Sequence, residues 1–232
     1  MKGLARMTLL HLEEPRALEK AISILQHGGV VAFPTDTVYG IGASLAYPEA
    51  LDRIYESKVR ERGRPLPVLI GSIDDMDLVS RDVDPDLLRL ASHFWPGPLT
   101  VAVPARAETL PPHVLAPDGT VGVRVPNHSV ALVLAQRCGG AMAVTSANVS
   151  GQPPATHPED IDPDLAERLD LVLDGGIARG GLASTVIGLR DATITVIREG
   201  AIPAGDIEAV WSRVRSAADG GIDEGHVTAA II

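Results

Sequence analysis

Residues 30–45, VVAFPTDTVYGIGASL, decide how this chain folds. VVAFP (30–34) is an apolar, β-branched run that stops abruptly at Pro34, so it reads as a buried strand. Polar TDT (35–37) and a Gly-x-Gly at Gly40 and Gly42 follow. They place a loop at the carboxyl end of the strand, where open α/β sheets collect ligands. Just upstream, PRALEKAISILQH (15–27) sets Leu18, Ala21, Ile22 and Leu25 on one helical face and ends at Gly28-Gly29.

Downstream, Pro48 opens a helix over 48–57 that carries Leu51, Ile54 and Tyr55. Further strands are expected at 66–70, 99–103, 121–125, 141–145, 171–173, 184–189 and 193–197, with helical spacing at 84–94, 128–138 and 206–217. Helices alternate with strands early and strands follow one another closely later. That order predicts an α/β fold with a twisted mixed sheet and flanking helices. Residues 1–14 read as a lead-in, and 204–232 as a helix followed by a loose tail beginning near 219.

Composition narrows the function. The 232 residues are 45% hydrophobic and 3% aromatic, so the core is packed by aliphatic side chains. The single cysteine, Cys138, excludes an internal disulfide and points to a reducing cytoplasm. No apolar run is long enough to span a bilayer, so no membrane role is expected. A formal net charge of −10 argues against a protein that coats nucleic acid by bulk electrostatics; an anion site must be local.

Several segments offer chemistry. Gly40 and Gly42 begin a dinucleotide fingerprint, but Leu45 stands where its third glycine belongs, and no Walker-type GxxxxGK[ST] occurs. Lys58, Arg60, Arg62 and Arg64 crowd into KVRERGR (58–64). The run reads either as a solvated helix end or as a phosphate clamp. VTSANVSGQPPAT (144–156) concentrates Thr145, Ser146, Asn148 and Ser150 after a strand, as a capped turn or as a ligand loop. FWPGPLTV (94–101) reads as architecture, with Trp95 in the core. Asp36 reads as a turn carboxylate or a base, and the histidines as surface or packing residues.

Taken together, FPTDTVYGIG, the K-x-R of Lys58 and Arg60, PL at 65–66, FWPGPLT, VGVRVP, TSANVSG, the ST of 184–185 and REGAI resemble the YrdC-like threonylcarbamoyl-AMP synthase family. The resemblance runs over about 15–203 in order and spacing. It implies a concave, positively charged cavity on the sheet. It also implies the conversion of L-threonine, bicarbonate and ATP, with Mg²⁺, into threonylcarbamoyl-AMP and pyrophosphate. A tRNA threonylcarbamoyl transferase complex would use that product. Carried over position by position, it implies Thr35, Thr37, Arg124, Val144 and Ser184 around threonine. Lys58, Arg60, Arg64, Thr120, Ser146, Asn148 and Arg198 would surround ATP, with Lys58 and Arg60 as catalytic counter-charges. Arg64 and Leu69 stand where many members have Asn and His. The competing readings are a double-stranded RNA-binding or ribosome-associated module on the same surface, and a paralogue acting on another carbamoyl or adenylyl substrate.

Overall fold

Strand alternation gives the sheet two faces, and each is apolar where helices cover it. The computed structural model describes residues 8–219. Ten strands form one twisted sheet in the order β1-β8-β2-β3-β7-β4-β6-β5-β9-β10. They are β1 (Leu9–His11), β2 (Val31–Phe33), β3 (Gly40–Ser44), β4 (Val68–Ile70), β5 (Leu99–Pro104), β6 (Thr120–Arg124), β7 (Ala141–Ser146), β8 (Leu171–Asp174), β9 (Thr185–Arg190) and β10 (Thr193–Arg198). Parallel pairs (β1 with β8, β8 with β2, β4 with β6, β5 with β9) mix with antiparallel ones, as expected.

One face carries the larger core. Ala32, Ile41, Val68, Ala143, Val101, Val123 and Ile187 pack there with α2 (Pro48–Ser57), α3 (Pro85–Phe94), the short α5 (Pro163–Ala166) and α6 (Ala204–Asp219). Trp95 joins this core, and its indole N–H donates to the Leu99 carbonyl at 2.7 Å. The other face is covered along half its width. There α1 (Ala17–Gln26) and α4 (Ser129–Arg137) bury Val31, Phe33, Met142, Val144 and Leu171. Beyond β4, among the described residues, no helix covers this second face, whose residues there are Arg124 and Gly122 on β6, Thr100 and Ala102 on β5, and Val186 and Gly188 on β9. The uncovered half of the sheet is where a ligand has room.

Two elements differ from expectation. Residues 40–44 form β3, because β3 runs antiparallel to both β2 and β7 and needs glycines for close approach. A Cβ on Gly40 would sit 2.9 Å from Val144 Cγ1, and one on Gly42 would sit 2.5 Å from Met142 Cε. The Gly-x-Gly therefore packs a sheet rather than opening a helix. Leu9–His11, inside the expected lead-in, adds a parallel strand beside β8; three residues are too few to show alternation in sequence. The expected helix at 206–217 is α6, which packs on α3. The expected tail from 220 onward lies outside the described residues.

Candidate active site

The loop 34–39 leaves β2 and folds across the open half of the sheet. Thr35 holds its turn: its hydroxyl donates to the Val38 carbonyl at 2.6 Å and accepts from the amides of Thr37 and Val38. The Thr35 and Thr37 hydroxyls meet at 2.9 Å. At the far side of the loop waits Arg124, 6% exposed at the end of β6. Its Nε donates to the Gly97 carbonyl at 2.9 Å, Nη1 to Thr37 Oγ1 at 3.0 Å, and Nη2 to Asp36 Oδ1 at 2.5 Å. FWPGPLT thus does more than fill the core, since its Gly97 carbonyl orients Arg124. Burial pushes the Arg124 guanidinium down from its usual range, and the Asp36 carboxylate opposes that shift.

A β-bulge supplies a second arginine. Across β9 and β10, Val196 pairs with Ile187 but Arg198 pairs with Val186, so Ile197 is the extra residue. Without the bulge, alternation would send Arg198 to the core face; with it, Arg198 lies on the open face beside Val186. Its Nη2 donates to the Ser184 carbonyl at 2.7 Å, and Ser184 Oγ meets Thr100 Oγ1 at 2.8 Å. Arg60 completes the set, held by the Arg64 carbonyl at 3.1 Å from Nε and the Pro65 carbonyl at 3.0 Å from Nη2. Burial lowers the pKa of both Arg60 and Arg198, and for Arg198 the charges of Arg60 and Arg124 lower it further. These cations repel one another across a shared space.

That space is a cavity lined by Thr35, Thr37, Arg60, Arg124, Arg198 and Ser184, with Leu69 and Val144 as an aliphatic floor; among the described residues no carboxylate lines it. Tyr39, also in the lining, steadies the wall: its hydroxyl donates to the Gly176 carbonyl at 2.7 Å and accepts from the Gly175 amide at 3.1 Å. Burial pushes this phenol up to about 12.

Of the residues singled out in sequence, Thr35, Thr37, Arg60, Arg124, Val144, Ser146, Ser184 and Arg198 meet in this cavity. Lys58, Arg64, Thr120 and Asn148 do not line it. Lys58 is buried behind it, bonded to the carbonyls of Ser146 and Asn148. Arg64 is exposed, and its carbonyl rather than its side chain serves the site. Asn148 braces its own loop through Val149 and Gln152, while its Oδ1 and Ser150 Oγ are buried without partners. Thr120 shares the open face with Arg124 but stands at the opposite end of β6, roughly 13 Å along the strand. There its hydroxyl donates to Asp118 at 2.7 Å. Sequence reasoning passed over Thr100, whose strand alternation faces it to the cavity, and set Asp36 aside as a turn residue when it is the partner of Arg124. Among the described residues, no group of three or more His, Cys, Asp or Glu is placed to hold a metal ion, and no helix is long and apolar enough to cross a membrane.

This is an α/β protein with one open mixed sheet, on one half-face of which three arginines gather around a cavity. The chain belongs to the Sua5/YciO/YrdC family, described as telomere recombination, whose model matches residues 23–200. The chain is 36% identical over 195 residues to threonylcarbamoyl-AMP synthase of Pyrococcus abyssi, covering 84% of this chain and 57% of that one. It is 38% identical over 193 residues to the Bacillus subtilis enzyme of the same name, covering 83% and 56%. The structure of P. abyssi Sua5 complexed with L-threonine superposes with a TM-score of 0.81 at 34% identity, over 88% of this chain and 60% of that one. The chain thus spans little more than half the length of these curated relatives.

Proposed function

We propose that the chain is an L-threonylcarbamoyladenylate synthase. The observation that carries this reading is the set of Arg60, Arg124 and Arg198 around one cavity whose lining has hydroxyls and no carboxylate, in a chain of net charge −10. Such an array is stabilised by anions, and a substrate carboxylate plus a triphosphate supplies them. The names of the relatives support the same substrates.

In this reading the amine of threonine combines with bicarbonate, losing water, to give a carbamate. A carbamate oxygen then attacks the α-phosphorus of ATP, and pyrophosphate leaves with the bonding electrons. No covalent protein nucleophile is needed, so positioning and charge neutralisation carry the catalysis. Arg124 takes the threonine carboxylate, Thr35, Thr37 and Ser184 surround the amino acid, and Leu69 with Val144 supports its aliphatic part. Arg60 and Arg198 meet the phosphates next to Ser146.

The bare strip from Arg124 to Thr120, floored by Gly122, gives the nucleotide room along the sheet and accounts for Thr120 at its far end. In this reading Mg²⁺ comes with the ATP phosphates as part of the substrate. The mixed anhydride formed is the activated donor that a tRNA-modifying transferase complex would consume.

Purified protein is expected to release pyrophosphate from ATP when L-threonine and bicarbonate are both supplied, and to stop when either is left out. Release that continues at the same rate without threonine would overturn the assignment.

A further inference from the structure

Lys58 lies behind the cavity wall, and its side chain is engaged there. Its ammonium donates to the backbone carbonyls of Ser146 and Asn148, and its own carbonyl accepts from the Ser150 amide at 3.1 Å. It is 1% exposed and has no carboxylate within ion-pair distance among the described residues. Two of its three ammonium protons are therefore committed to peptide carbonyls. The segment so gripped is the turn leaving β7, which carries Ser146 into the cavity and sets Asn148 beside it. Its other hydrogen bonds run to Tyr39, whose carbonyl accepts from the Ala147 amide at 2.7 Å, and within the turn itself, while Val149 packs on the larger core. Among the described residues, the hydrogen bonds between this turn and the end of α2 all run to Lys58.

We infer that Lys58 is a positioning residue: it clasps the 146–150 turn from behind and fixes Ser146 and Asn148 for the nucleotide, while Arg60 and Arg198 supply the charge that meets phosphate. The inference rests on the proposed function only where ATP serves as a probe. Burial, with a smaller push from Arg60, lowers the Lys58 pKa to about 7, as befits a cation matched by carbonyl dipoles rather than by an anion. The clasp does not need the charge, since a neutral amine keeps two N–H donors for two carbonyls. A phosphate contact would need it.

Lys58→Met and Arg60→Gln separate the two roles. Hydrogen exchange in the ligand-free protein should quicken by about tenfold or more across 146–152 in Lys58→Met and stay unchanged there in Arg60→Gln. ATP affinity measured across salt concentrations should lose part of its salt dependence in Arg60→Gln, because a phosphate-facing charge has gone. In Lys58→Met it should weaken at every salt concentration with the slope kept.

An unchanged exchange rate in the turn, or a slope flattened as much as in Arg60→Gln, would overturn the clasp. If Lys58→Met does not fold, ¹⁵N NMR of the Lys58 amine in the unaltered protein decides instead. ATP should leave its titration in place, and a marked upward shift on binding would mean direct phosphate contact. Failure of the unaltered protein to bind ATP would sink the proposed function, and the exchange measurement would still judge the clasp.

Discussion

Replacing Arg124 by lysine separates charge from geometry at the carboxylate end of the cavity. A guanidinium carries five N–H donors in a fixed fork. Here Gly97 takes the one on Nε, Thr37 takes one from Nη1 and Asp36 one from Nη2. One proton on each terminal nitrogen is left, a pair matched to the two oxygens of a carboxylate. Lysine keeps the positive charge for Asp36 but has its three donors on a single atom, so the two-pronged contact is lost.

Losing one hydrogen bond to a charged group costs about 1.5–3 kcal/mol, which is roughly 10- to 150-fold in affinity. Arg124→Lys should therefore weaken L-threonine binding by that factor in calorimetric titration while ATP binding changes by less than about threefold. Arg124→Met makes a useful contrast, because it strands the Asp36 carboxylate, and breaking a buried pair destabilises by about 3–5 kcal/mol. Unaltered threonine affinity in a folded Arg124→Lys protein would refute the carboxylate assignment. An equal loss of ATP affinity would show that Arg124 serves the phosphates instead.

Two further outcomes follow from the geometry. Burial lowers the Lys58 pKa to about 7 in the folded chain from the ordinary 10.5, so between these values the unfolded chain binds the extra proton. Stability should rise with pH across that window in the native protein relative to Lys58→Met. Urea denaturation at several pH values checks this, and parallel profiles for the two proteins would mean that burial does not lower the lysine's pKa. Gly180 and Gly200 touch backbone: a Cβ on Gly180 would lie 2.4 Å from the Asp36 carbonyl oxygen, and one on Gly200 2.2 Å from that of Ala183. Alanine at either position should cost about 1–3 kcal/mol in stability. It should also weaken threonine binding through displaced Thr37 or Ser184, and native-like titrations would refute the close packing.

Much of this molecule is written locally. Pro48 at the start of α2, the one-face spacing of α1 and the β-branched runs of β5, β6 and β9 follow short-range rules of helix entry and strand alternation, so they are legible in sequence. Thr35, Thr37 and Ser146 are legible as polar residues that interrupt apolar strands. The family pattern added Arg60, Arg124 and Arg198. What composition and spacing could not supply is which of these residues meet.

Asp36 becomes the partner of Arg124 across 88 residues of sequence because a loop folds over a bare half-sheet. Arg198 reaches the cavity because one extra residue at Ile197 reverses the facing of a strand. Lys58, next but one to a cavity arginine, is turned to a pair of carbonyls 88 and 90 residues away. Propensity and alternation act over a few residues, so the elements and the chemical types on offer can be read along the chain. Register, loop reach and burial act between segments distant in the chain, and those tertiary features alone decided which cations face the ligand and which one holds the wall behind it.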